Sequence, residues 1–172
     1  AHRLAPAENS QENGGAIDRV VFHSVDEGRG LLVDETWEPY TTEAPDDMLR
    51  FSLGLKADDP IPLDPTARRG FIAEKYGDQV LAFTEEEREV LRRTVERLAE
   101  KTGGDWPLVS RLPWHFIKVR STFCRGMAHT RGLAIVFSEG NLRRLAADES
   151  GAMKLLLHEK LHVLQRVCAP RF

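Results

Sequence analysis

The chain has 172 residues, 41% hydrophobic and 30% charged, with a formal net charge of −3, a balance that fits one globular domain and excludes a disordered or fibrous chain. The slight acidic excess gives no long-range attraction for nucleic acid, and basic pairs such as Arg92-Arg93 and Arg143-Arg144 read as solvated faces. No apolar run approaches the roughly 18 residues that a bilayer crossing needs, so no transmembrane segment is expected.

The chain opens Ala1-His2-Arg3 without an initiator methionine, which fits a processed secretory precursor or a trimmed piece and places a secreted or periplasmic location ahead of a cytoplasmic one. Cys124 and Cys168 could form one disulfide in an oxidising compartment or remain as two thiols. Residues 1–16 carry almost no large apolar side chain, so a flexible tail is expected before a single domain over residues 17–172. The apolar run at residues 17–23 and the shorter one at 31–33 flank a Gly-rich stretch, which suggests a hairpin. Residues 41–70, punctuated by four prolines and several aspartates, predict a long irregular segment with a short strand at 49–55.

Thr84-Glu85-Glu86-Glu87 is a capping box, because the threonine oxygen can accept an amide one turn in while Glu87 reaches back. Val90, Leu91, Val95, Leu98 and Ala99 recur at helical spacing until Gly103-Gly104. Residues 112–119, with Pro113 near the start, and 133–137 read as two strands joined through 124–132, and residues 141–147 as a short helix. Asp148 or Ser150 can cap a last helix, rich in leucine over most of its circumference and therefore central, that Pro170 ends.

That last helix contains His158-Glu159-Lys160-Leu161-His162. Residues four apart on a helix stack one turn above the other, so the two imidazoles can hold one metal ion, with Glu159 beside the first ligand as a base for a metal-bound water. Zn2+ suits such ligands, lowers the pKa of its water toward about 7 and polarises a carbonyl. Chance produces this spacing in roughly a few per cent of chains with this histidine content, but two histidines and a glutamate on a leucine-rich helix would be costly to bury without partners.

The segment resembles the signature of the zincin-like (HExxH) metallopeptidase superfamily. A wider stretch resembles a bacterial peptidase-like domain with the pattern Ala-x-Thr-x-Gly-x-x-Ile followed by Leu-Leu-x-His-Glu-x-x-His-Val-x-Gln. Here the parts are Ala128-His129-Thr130-Arg131-Gly132-Leu133-Ala134-Ile135 and Leu155-Leu156-Leu157-His158-Glu159-Lys160-Leu161-His162-Val163-Leu164-Gln165. The resemblance covers about a quarter of the chain. It implies an α+β fold in which a small, mostly antiparallel sheet packs on the helix from residue 85 and on the metal helix. It also implies that the strand carrying Ala134, Ile135 and Val136 is an edge strand that binds an extended peptide through its main chain.

A catalytic zinc needs three protein ligands and an open position, and the motif supplies only His158 and His162. Cys168 stands six residues after His162, where one zincin branch has a third histidine, but Gln165 replaces the turning glycine and a straight helix carries Cys168 about 9 Å along its axis. A core or disulfide role is therefore expected for it. His129, Glu139 and His115 are the upstream candidates, and His23 has no assigned role. The simplest expectation is that the missing ligand lies in residues that followed Phe172 in a longer protein. The leading expectation is a zinc-dependent peptidase acting on a peptide or protein substrate, with Glu159 as general base. The alternative is a non-catalytic zincin-fold binding or structural module with an incomplete metal site.

Overall fold

The computed structural model describes residues 19–39, 43–102 and 105–168. The expected N-terminal tail, the Gly103-Gly104 helix stop and the Pro170 terminator lie outside the described residues. In chain order the elements are β1 (Val20–Phe22), α1 (Val25–Leu32), α2 (Asp46–Leu53), α3 (Pro65–Gly77), β2 (Val80–Leu81), α4 (Glu85–Thr102) and α5 (Pro107–Arg111). They continue as β3 (Trp114–Val119), a 3-10 turn over Phe123–Gly126, β4 (His129–Arg131), β5 (Ala134–Ser138), α6 (Glu139–Ala147) and α7 (Glu149–Cys168).

The fold is mixed α and β, as expected, but its sheet is not mostly antiparallel. The strand order is β1-β3-β5-β4, with β2 also on β3. The ladders β1·β3 and β3·β5, the second of them the longest in the sheet, are parallel, whereas β2·β3 and β4·β5 are antiparallel. The reason is visible in β5, where all five side chains are buried. Strands of a parallel sheet covered on both faces read as unbroken apolar runs, and Ala134-Ile135-Val136-Phe137 is one.

Each face has its own core. Phe116, Ile135 and Phe137 pack with Leu91 and Val95 of α4, Leu142 of α6, and Leu156 and Val163 of α7. Ile117, Ala134 and Val136 pack on the opposite side with Leu32 of α1, Leu49 of α2, and Ile72 and Tyr76 of α3. The sheet is therefore the middle of three layers.

The second helical layer corrects the reading of the N-terminal half. The expected hairpin partner at residues 31–33 falls at the end of α1, which Ser24 caps by accepting from the Glu27 amide while Glu27 reaches back to the Ser24 backbone. Gly28, read as part of a turn, sits in that helix because of space. A Cβ there would lie 2.9 Å from Val80 Cγ1 and 3.3 Å from Ile117 Cγ2, so glycine lets α1 lie directly on the sheet.

The expected strand at 49–55 is α2, with Asp46 and Asp47 in its first turn at the positive end of the helix dipole. α3 opens with Asp64 accepting from Thr66 and Ala67 and with Pro65 at its first position, so the prolines of residues 41–70 punctuate two helices. Further along, the Thr84 capping box, the strands at β3 and β5 and the helices α6 and α7 stand where expected, and β4 is an added strand between β3 and β5 in sequence.

Candidate functional site

α7 begins after Asp148, whose carboxylate accepts from the Gly151 amide at 3.0 Å. Its rotation about its own axis is fixed by what it buries. Ala152, Leu156 and Val163 enter the core, and Lys160 goes with them at 1% exposure. The Lys160 ammonium donates to the carbonyls of Leu112 at 2.9 Å and Pro113 at 2.7 Å and lies over the Trp114 ring at 4.5 Å from its centroid. This places a buried charge against two acceptors and an aromatic face, which satisfies most of what desolvation takes away. Lys160 is two residues from each motif histidine, or about 200° around the helix, so anchoring it inward turns His158 and His162 outward.

Both histidines are exposed, and their Nε2 atoms face each other at 3.1 Å with the rings perpendicular. Two nitrogens bound to one zinc at about 2.0–2.1 Å with tetrahedral angles lie about 3.3 Å apart. The observed separation is that of an N–H···N hydrogen bond between the two rings and is also close to the spacing of two ligands on one ion. Gln165 Oε1 is 3.1 Å from His162 Nδ1. With Nδ1–H donating to that oxygen, Nε2 keeps its lone pair for a ligand, which is how an outer partner fixes the useful tautomer.

Glu159 is 3% exposed, and its Oε2 has no hydrogen-bond partner. Burial raises its pKa above the ordinary glutamate value, opposed by the positive influence of His158, His162 and Arg166. Arg166, one turn beyond His162, donates from Nε to Glu38 at 2.9 Å and from Nη1 to Thr130 on β4. Sequence reasoning gave no role to Lys160, Gln165 or Arg166. Gln165 closes the family pattern, but nothing in the sequence pointed to the contacts that these three side chains make.

The two histidines and Glu159 are brought together as expected, but a third ligand is not. Among the described residues no group of three His, Cys, Asp or Glu side chains is placed to hold a metal ion. His129 has Nδ1 at 3.2 Å from the Met127 carbonyl and Nε2 at 3.9 Å from Cys124 Sγ. Burial depresses the His129 pKa to about 4 and raises that of the Cys124 thiol, so this pair is neutral and inert, not a thiolate and imidazolium. His115 is taken up by His23, with Nδ1 and Nε2 at 3.1 Å and rings only 12° from parallel, the geometry of an in-plane N–H···N hydrogen bond. Both cysteines are free, Cys124 buried and Cys168 exposed at the end of α7.

The substrate-strand expectation is also corrected. Ala134, Ile135 and Val136 pair with His115, Phe116 and Ile117 on one side and with Arg131, Thr130 and His129 on the other, so their main chain is enclosed and the sheet edge is β4. A cavity of about 670 Å³ adjoins the motif, bounded by α6, the N-terminal half of α7 and the 3-10 turn, with His158 and Glu159 among its walls.

No helix among the described residues is long and apolar enough to cross a membrane. Comparison with family models, with curated proteins and with solved structures finds no match to this chain.

Proposed function

We propose that the chain is a zinc-dependent peptidase of zincin type in which His158 and His162 hold the metal and Glu159 is the general base. One observation carries this reading: two exposed imidazoles converge through Nε2 at 3.1 Å beside a buried carboxylate whose Oε2 lacks a partner. An unpartnered buried oxygen is costly unless function keeps it, and this one belongs to the residue adjoining the first of the two imidazoles. When bound, zinc supplies Lewis acidity to a scissile carbonyl and makes a water acidic near neutral pH. The residues of this chain do the rest. Glu159 takes the proton from the attacking water and passes it to the leaving amine, and Gln165 keeps His162 in the ligating tautomer.

The test is metal analysis together with cleavage of an unfolded protein. Glu159→Gln should retain zinc and lose hydrolysis by about 10²-fold or more, while His158→Ala should lose both. Undiminished proteolysis by either variant sinks the mechanism. A second reading, a binding module on the same fold, is favoured by the lack of a three-ligand group among the described residues. Protein that binds no zinc and cuts nothing, yet retains a partner, would support it.

A further inference from the structure

The cavity beside the motif has a charge pattern that the hydrolytic reading does not use. Leu145, Ala147, Ala152 and Leu155 give it an apolar lining, and Arg125 and Arg144 stand in its wall. At about 670 Å³ it lies within the range of cavities that enclose a small ligand. Neither arginine has a carboxylate within ion-pair distance among the described residues, although arginines elsewhere in the chain, such as Arg68, Arg92 and Arg166, do. Arg144 makes one contact, Nε to the Gly140 carbonyl at 3.3 Å, and the Arg125 guanidinium lies over the Phe51 ring at 4.9 Å. The cavity also holds Asp148, but that carboxylate is occupied in capping α7.

Arg125 reaches this position through an unusual backbone. Cys124 and Arg125 both adopt left-handed conformations, with φ of 48° and 53°, and Gly126 continues them at 73°. Two successive non-glycine residues there persist only where neighbours enforce it. Cys124 is buried, its carbonyl accepts from Met127, and the Ser138 hydroxyl donates to the Gly126 carbonyl at 3.1 Å. The strained turn places Arg125 in the wall of a cavity whose lining also includes His158 and Glu159.

We infer that this cavity is a recognition pocket for a carboxylate-bearing apolar segment, with an aliphatic or aromatic side chain against its apolar lining and an adjacent carboxylate met by Arg144, with Arg125 adding positive charge from the same wall. The pocket deepens the peptidase reading and, as a subsite for a scissile peptide, rests on it. The carboxylate can come from an acidic side chain or from a peptide C-terminus.

Binding separates these without relying on turnover. Four fluorescent hexapeptides sharing one leucine would be titrated into the full chain carrying Glu159→Gln: one with a glutamate after the leucine and an amidated end, one with glutamine there and a free C-terminal carboxylate beside it, and amidated glutamine and lysine controls. At least one carboxylate peptide should bind about tenfold or more tightly than both controls, and which one does so identifies the source. Arg144→Gln should remove most of that preference, and Ala147→Trp, at an exposed position on the cavity wall, should weaken all four. Equal binding of all four peptides, an unchanged preference in Arg144→Gln, or no binding by any overturns the pocket. Preferential binding without cleavage by the parent chain refutes the peptidase and leaves the pocket standing. Cleavage by the parent chain combined with indifference to the carboxylate does the reverse.

Discussion

At the scale of single residues, the motif helix is organised by a residue that the motif leaves unspecified. Lys160 fills an x position of HExxH and is the least exposed cation among the described residues, and burial lowers its pKa from the ordinary 10.5 to about 8. The unfolded chain therefore binds a proton that the folded chain has released between about pH 8 and pH 10.5, so stability should rise with pH across that window and carry the full cost of the buried ammonium below it. The full linkage is at most about 3 kcal/mol, and the Leu112 and Pro113 carbonyls and the Trp114 ring reduce it by favouring the charged form. Lys160→Met should remove this alkaline gain. It should also destabilise the chain near neutrality by about 1–3 kcal/mol, because the Leu112 and Pro113 carbonyls lose a charged donor. Urea unfolding at two pH values checks both effects, and a variant with the parent's stability and the parent's alkaline rise would show that Lys160 is not the anchor. Glu159, the next residue, has the opposite role, a buried carboxylate left without a partner at the point where chemistry is proposed.

At the scale of elements, α1 shows how spacing overrides local appearance. Gly28 and Gly30 look alike in sequence, but only the first touches the sheet: a Cβ on Gly28 would meet Val80 and Ile117, whereas nothing lies within 4 Å of one on Gly30. Gly28→Ala should therefore cost about 1–3 kcal/mol through overpacking, while Gly30→Ala should stabilise by about 0.5–1 kcal/mol through helix propensity. Thermal unfolding of the two variants in parallel tests the docking of α1, and equal shifts of the same sign would refute it. The same contrast explains what was legible in the sequence. α4, α6 and α7 have caps and apolar faces of their own, so their signals are local and were read correctly. α1 and α3 have equally good caps at Ser24 and Asp64, and α2, whose N-cap Pro45 makes no side-chain bond, has Asp46 and Asp47 in its first turn, but the glycines, prolines and aspartates of this half give the stronger impression of turns. Strand direction had one local signal, the unbroken apolar run of β5. β5 is buried at every position and apolar from Ala134 to Phe137 because both its faces are covered, and the antiparallel pairing expected from the family pattern is confined to the β2 and β4 ladders. At the candidate site the helical spacing made His158, Glu159 and His162 legible. The outer contacts of Lys160, Gln165 and Arg166 depend on β3, on a side-chain rotamer and on β4, and no spacing rule gives those.

At the scale of the whole molecule, the proposed metal site and the core are separate. The two core clusters sit on opposite faces of the sheet and account for the buried apolar side chains, whereas His158 and His162 project from the solvent side of α7. A small zinc domain folds only with its metal because the ion replaces a core, but this chain has a core on each face of its sheet. The chain should accordingly stay folded in a chelator, with its helical circular dichroism retained and a cooperative melt, and zinc should act as an ordinary ligand of the native state. For a dissociation constant of about 1 μM, zinc at about 100 μM would stabilise the fold by about 2.7 kcal/mol, which in a chain of this length raises the melting temperature by about 5–10 °C. His162→Ala should abolish most of that shift and leave the metal-free melt nearly unchanged, because the exposed imidazole contributes little packing. Loss of structure on chelation would mean that the ion is part of the core after all. A zinc-induced rise that survives His162→Ala would place the metal somewhere other than on α7.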